Sequence, residues 1–302
     1  MYPMQRHLLY IINPISGTKS KTPLKDMVQH QTEAAGLPFD IYDSVPNGDY
    51  GFLLPVIKEK KITDIIIAGG DGTVNAVVGS LRNRKLRFGI LPCGSGNGLA
   101  FAAGMPKSIK RALHIIFNGT AADTDAFWVN SQFACMLAGL GFDAQVAYDF
   151  ARYNRRGKTA YINRIIHHLF KAPVYPFTIT VDDETIDTEA YFISIANSNQ
   201  FGNNFTIAPQ ASLTDGWLDV VIVAGKTKAE FLLYTLKQVT GLNKLQHIST
   251  LQQDAGILYF RAKNLTITNI QKAPLHIDGD PAPTAELIKV NMEEKAFRLI
   301  YP

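Results

Sequence analysis

Thr63-Asp64-Ile65-Ile66-Ile67-Ala68-Gly69-Gly70-Asp71-Gly72-Thr73 is the stretch from which the fold can be read. Its first part is a β-branched apolar run of strand length, the pattern of a strand buried on both faces, as in parallel sheets. It runs directly into a glycine-rich turn, Gly69–Thr73, and then into a helix predicted over Val74–Leu81. A strand, a glycine turn and a helix in that order place the turn at the C-terminal edge of a sheet. Ligands of open α/β sheets bind at that edge. Glycines let the backbone approach a phosphate closely, and a helix N-terminus supplies N–H donors. Asp71 can hold Mg²⁺ directly or through water, since that ion prefers hard oxygen ligands. The pentapeptide by itself also fits a tight strand-to-helix turn with an N-capping aspartate.

The neighbouring sequence repeats the pattern. Strands are expected at His7–Ile12, Phe39–Tyr42 and Phe88–Leu91, and helices at Pro23–Ala35, Tyr50–Lys60 and Lys107–Phe117. Alternation with short loops implies a doubly wound parallel sheet. A second glycine loop, Pro92-Cys93-Gly94-Ser95-Gly96-Asn97-Gly98, follows one strand, and Asn13-Pro14-Ile15-Ser16-Gly17 follows another. All three turns should open on one edge and form a nucleotide site. Neither a Walker A sequence nor a GxGxxG fingerprint is present.

After about residue 125 the pattern changes to short strands separated by turn residues. They are expected at Phe127–Ala138, Phe177–Val181, Ala190–Ala196, Leu218–Val223, Ile257–Arg261, Leu265–Asn269, Leu275–Ile277 and Leu287–Asn291. Helices at Asp143–Arg152, Thr159–Phe170 and Thr227–Val239 interrupt them. This is the signature of an antiparallel sandwich or barrel. The expected division is an α/β nucleotide-binding domain over 1–125 and a β-rich domain over 126–291. Residues 292–302, with a strand at Phe297–Tyr301, would rejoin the first.

Composition narrows the setting. A chain of 302 residues with 46% hydrophobic and 19% charged residues can bury a sizeable core and does not resemble a disordered one. A formal charge of +4 is too weak to imply nucleic acid and does not repel an anionic membrane. Two cysteines, Cys93 and Cys135, give neither a disulfide framework nor a zinc spacing. No apolar run approaches the roughly 20 residues of a membrane span, and no secretory signal is visible. The expectation is a cytoplasmic protein peripheral to the membrane. Arg152, Arg155, Arg156 and Lys158, ahead of an amphipathic stretch at Tyr161–Phe170, are candidates for headgroup contact. The oligomeric state is not set by the sequence, and a homodimer is compatible with it.

The motifs taken together resemble the diacylglycerol kinase catalytic family, which includes bacterial lipid kinases and sphingosine kinases. The resemblance spans nearly the whole chain. It rests on Asn13–Gly17, Gly69–Thr73 and Gly94–Asn97, then on Asp125 with Asn130 and on Gly139–Asp143. It continues through Asn197, Gly202-Asn203, Ala208–Ala211, Asp215–Asp219 and the closing Ile277-Asp278-Gly279-Asp280. Ala76 stands where many members carry glutamate. Asp280 replaces a glutamate, and Gly98 replaces an aspartate of many bacterial members. The resemblance implies a phosphofructokinase- and NAD kinase-like α/β domain followed by a mainly antiparallel β-sandwich.

It also implies ATP and Mg²⁺ as cofactors and a lipid hydroxyl as acceptor, in diacylglycerol or a sphingoid base. ATP would be held by Asn13, Ser16, Gly69, Gly70, Gly72, Thr73, Gly94, Ser95, Gly96 and Asn97. Mg²⁺ would be organised by Asp71 and Asp125, and a structural Mg²⁺ by Asp215, whose segment reads equally well as an Asp-Gly hairpin turn. Asp278 would accept the hydroxyl proton, with Asp71 as the competing base. An NAD kinase would share Gly69–Thr73 but not the order of motifs from Asn197 to Asp219. A non-catalytic nucleotide-binding regulator is the remaining alternative.

Overall fold

Three mostly apolar, mostly buried runs build the centre of the first sheet. They are β1 (Leu8–Ile12), β3 (Asp64–Gly69) and β4 (Arg87–Pro92). β1 lies between β2 (Phe39–Asp43) and β3, and β3 lies between β1 and β4, all parallel. Every residue of β1 and of β3 is buried, as expected for strands covered on both faces. The computed structural model describes residues 6–16, 22–82, 85–152, 172–200, 206–225, 227–251 and 256–302. Gly17, Gly202, Asn203, the basic residues Arg155, Arg156 and Lys158, and the helix expected at Thr159–Phe170 lie outside them.

Helices of this unit follow these strands. They are α1 (Thr22–Ala34), α2 (Leu54–Glu59), α3 (Asp71–Leu81), α4 (Gly98–Ala102) and α5 (Ile109–Asn118). α3 buries Val74, Val77, Val78 and Leu81, the i, i+3, i+4, i+7 stripe of a core-facing helix. It begins three residues earlier than the sequence suggests, because Gly70 is extended and serves as its N-cap. Asp71, Gly72 and Thr73 are therefore the first turn of the helix rather than a loop before it.

The chain forms two compact units, residues 1–124 with 295–302, and residues 125–294. The second unit is mainly antiparallel. β9 (Glu184–Ala196) is its spine: its first half pairs with β8 (Tyr175–Val181), and its second half lies between β7 (Leu137–Gly141) and β10 (Leu218–Ala224). β10 pairs with β11 (Ile257–Ala262), and β12 (Asn264–Thr268) with β8. β13 (Leu275–Ile277) joins β7 to β14 (Asp280–Ala282). Alternate residues of these strands, among them Ile193, Ile195, Val220, Ile222, Leu258 and Phe260, build one apolar core. α6 (Phe142–Arg152) and α7 (Lys228–Val239) complete the described helices.

Two expectations change. The apolar run Phe127–Ala138 is not one strand but the end of β5 (Thr120–Val129), then β6 (Gln132–Ala134) and the start of β7. Asn130 turns the chain at φ 53°, and the carboxylate of Asp278 takes the N–H groups of Cys135, Met136 and Leu137. Conversely, the two separate strands expected near the end are one, β15 (Leu287–Tyr301). Its first residues pair with β12 in the second unit, and Arg298 and Leu299 pair with β4 in the first.

Candidate active site

In the first unit the three turns lie level. Ile12 is in register with Ala68, and Gly69 with Pro92, so Asn13, Gly70 and Cys93 follow the C-terminal ends of adjacent parallel strands. Asn13 donates its amide to Thr73 Oγ1 at 2.8 Å, while its carbonyl oxygen accepts the Ile15 N–H at 3.0 Å. Ser16 donates to the Asn13 carbonyl. Thr73 sits over Gly69 so closely that a β-carbon there would lie 2.7 Å from Thr73 Cβ. Gly69 is thus glycine to admit Thr73, which Asn13 then fixes.

The two glycine loops meet backbone to backbone. A β-carbon on Gly70 would lie 3.1 Å from Gly94 Cα, and one on Gly94 would overlap Gly70 Cα outright. Asn97, left-handed at φ 56°, closes its own loop: its carbonyl oxygen accepts the Gly94 N–H at 2.7 Å and its amide donates to the Gly94 carbonyl at 2.9 Å. The Asn97 side chain therefore shapes the loop from within, while Ser95 is exposed at its tip. Asp71 accepts the Leu99 N–H at 3.3 Å, tying α3 to α4. The result is a shallow edge of backbone donors with one carboxylate. Helix N-termini and such loops suit phosphate oxygens.

In the second unit, Asp125 is buried at a crossing point. Its Oδ2 accepts the Gly216 N–H at 2.8 Å, its N–H donates to the Leu213 carbonyl, and its carbonyl accepts the Asn197 amide. Asn197 also donates to the Cys135 carbonyl, and Asp278 accepts the next N–H groups. Asp125, Asn197 and Asp278 thus belong to one hydrogen-bonded core. Asp278 is 5% exposed and left-handed at φ 49°, and its two oxygens receive three backbone N–H bonds of 2.8–2.9 Å.

Asp280, two residues on, remains exposed at the start of β14. Partial removal from water, and then the neighbouring Asp278 charge, push its carboxyl above the usual aspartate range, and His276 opposes them. His276 itself is fully buried, with Nε2 3.3 Å from Asp143 Oδ2. Its Nδ1 accepts the Gly279 N–H, and Nε2 is the nitrogen that faces Asp143. His276 pairs across strands with Gly139, where a β-carbon would come within 2.5 Å of the imidazole. Gly139 exists to admit this pair. None of the three was singled out as a functional residue from sequence, since strand register brings them together.

At Asp215 the nearby acid is Asp219. Among the described residues no group of three or more His, Cys, Asp or Glu is placed to hold a metal. The counter-charge is a guanidinium: Arg261 Nη1 lies 3.3 Å from Asp215, and its Nε lies 3.6 Å from Asp219, which is fully buried. Burial pushes the Asp219 carboxyl up, and Tyr259 and Arg261 oppose it. Gly216, at φ 75°, completes an Asp-Gly turn in which Trp217 donates to Asp215.

Residues 7–129 match the model of the diacylglycerol kinase catalytic domain, and residues 137–300 match that of the YegS C-terminal NAD kinase beta sandwich-like domain. The chain is 28% identical over 275 residues to a diacylglycerol kinase of Bacillus subtilis, covering 89% of this chain and 88% of the relative. It is 27% identical over 246 residues to a probable lipid kinase YegS-like of Shewanella frigidimarina, covering 79% and 76%. The crystal structure of a diacylglycerol kinase from Bacillus anthracis superposes with a TM-score of 0.72 at 20% identity, covering 99% of this chain and 97% of that one, a likeness of fold. Two domain models in the expected order, on a chain that carries the glycine loops and the Asp278–Asp280 turn, settle the family: this chain belongs to the diacylglycerol kinase family of lipid kinases.

Proposed function

We propose that this kinase transfers the γ-phosphoryl group of ATP, with Mg²⁺, to a hydroxyl of diacylglycerol. The observation that carries the reading is the interlocked pair of glycine loops, Gly69–Thr73 and Gly94–Asn97, at the C-terminal edge of a parallel sheet. The diacylglycerol kinases among the relatives favour diacylglycerol as the acceptor over a sphingoid base. The N–H groups of the first turn of α3 and of Ser95 and Gly96 would hold phosphate oxygens, with Asn13 and Ser16 beside them. Asp71 fits an ion that takes one or two carboxylates and keeps its waters. When bound, Mg²⁺ supplies neutralisation of phosphate charge.

Proton acceptance is assigned within the closing motif. Asp278 has both oxygens engaged by backbone N–H groups, which suits a residue that positions the turn. Asp280 is accessible and its carboxyl is raised, which suits a general base, whose pKa should approach the working pH. Asp278 thus becomes the positioning residue and Asp280 the acceptor. Asp280→Asn should lower kcat by about 10²–10⁴-fold with melting temperature and ATP binding unchanged. The wild-type rate should fall on acidification through a value above that of ordinary aspartate, because only the ionised form accepts a proton. Asp278→Asn should lower melting temperature as well as rate, since it turns an amide toward N–H donors and leaves buried groups unpaired. Normal turnover by Asp280→Asn, with Asp278→Asn inactive but equally stable, would return the base role to Asp278.

A further inference from the structure

Beside the Asp278 network, the second unit buries an ionisable pair that the reaction as described does not use. It is His276 with Asp143. β13 is otherwise apolar: Leu275 and Ile277 flank the histidine, and all three residues are buried. Removing such a pair from water is costly, and apolar residues of similar volume often serve stability as well. The fold nevertheless clears space for it. A β-carbon on Gly139 would lie 2.2 Å from Asp143 Oδ2 and 2.5 Å from His276 Nε2. Stability alone does not call for this arrangement.

What the pair touches is the turn that carries Asp280. Asp278 and Gly279, at φ 49° and 88°, form the two-residue connection between β13 and β14. Two successive positive φ values are what a type I′ hairpin turn requires. Asp278 fixes one side of this turn through its three backbone N–H bonds. His276 holds the other, since Nδ1 accepts the N–H of Gly279, the residue next to Asp280, at 3.3 Å. Pro281 restricts Asp280 to extended backbone, so the direction of Asp280 follows the turn. α6 backs the hairpin at two points. Asp143, in its first turn, meets the imidazole, and Tyr148 donates to the Ala282 carbonyl at 3.0 Å. The imidazole is also close enough to Asp280 to oppose the rise of its carboxyl. A base must be held within about 0.5 Å of its productive place by neighbours that are themselves locked. We propose that His276, braced by Asp143, is a positioning residue that aims the Asp280 carboxylate at the acceptor hydroxyl. This role rests on the reading of Asp280 as the proton acceptor. Fully buried, His276 touches neither nucleotide nor acceptor and acts through the Gly279 turn.

Two substitutions separate the two ends of the ring. An asparagine oxygen falls about where Nδ1 lies and can still accept the Gly279 N–H. A glutamine amide reaches to where Nε2 lies and meets only Asp143. Turnover is measured with ATP and diacylglycerol in mixed micelles. His276→Gln should lower kcat by roughly 10–100-fold, the scale of a misplaced catalytic group, with KM for ATP unchanged. His276→Asn should recover most of that loss. In an Asp280→Asn background His276→Gln should remove nothing further, because no base is left to aim; residues that act as one unit are non-additive in this way. Wild-type kcat in His276→Gln would overturn the proposal, even if its melting temperature fell. So would an equal loss of kcat with and without Asp280, which would mark a role in the fold at large. Should His276→Gln fail to fold, Asp143→Ala unbraces the ring from α6 and should show the same dependence on Asp280, and wild-type kcat there would overturn the proposal equally. Normal turnover by Asp280→Asn would sink the base assignment and this role together. A loss in Asp280→Asn beside an unaffected His276→Gln would sink this role alone.

Discussion

Arg261 bears on a question the sequence left open at Asp215. A carboxylate turn with an Asp-Gly step can hold a divalent cation or be a plain turn. Here an internal cation lies against both Asp215 and Asp219. Asp219 is raised by burial, so its folded value lies above its unfolded one. Such a group favours folding at low pH and loses that contribution as pH rises through the folded value. Arg261 offsets the loss at neutral pH. Arg261→Gln should therefore destabilise by about 1–3 kcal/mol at neutral pH, and the loss should shrink on acidification. In chemical melts without nucleotide, millimolar Mg²⁺ should stabilise wild type and Asp215→Ala equally, and Arg261→Gln more than either. A Mg²⁺ shift in wild type that vanishes in Asp215→Ala would show that the turn holds a metal after all.

Among the elements, the contact between the glycine loops has a ranked consequence. A methyl group on Gly94 meets Gly70 Cα head-on, whereas one on Gly70 is only tight against Gly94. Gly94→Ala should destabilise by about 1–3 kcal/mol and weaken ATP binding as the loops separate. Gly70→Ala should do less of both. Thermal melts with and without ATP measure the order, and equal stability of Gly94→Ala and wild type would mean the loops do not touch. Some of this was legible in sequence. The run Ile65–Ala68 into Gly69–Thr73 is local, so its period and its glycines announce strand, turn and helix. The break inside Phe127–Ala138 was not, because the carboxylate that takes those N–H groups belongs to Asp278, far along the chain. The same holds for His276 with Asp143, which only the register of β7 on β13 makes neighbours. Asp280 could be quoted from the motif, but its raised carboxyl depends first on removal from water, which the motif does not state.

At the scale of the molecule, the first unit is built from two separate pieces of chain. Residues 295–302 cover the open side of β4 through Arg298 and Leu299, and Phe297 packs edge-on against Phe88 at 5.9 Å. The Tyr301 hydroxyl is bonded to Thr124, and a β-carbon on Gly119 would overlap the Tyr301 carbonyl. Deleting 295–302 should leave β4 as an unpaired edge, a template for aggregation. The truncated chain should appear mainly in insoluble or oligomeric fractions on size exclusion, and a monomer as soluble as wild type would contradict this. The same feature dictates an order of events during synthesis. Residues 295–302 leave the ribosome after the whole of the second unit. The first unit, though begun first, must wait with β4 uncovered while some 170 residues are made. Domains usually fold as they emerge, N-terminal first. Here the second unit, continuous in sequence, is free to close first, and β4 stays an exposed edge until residues 295–302 arrive.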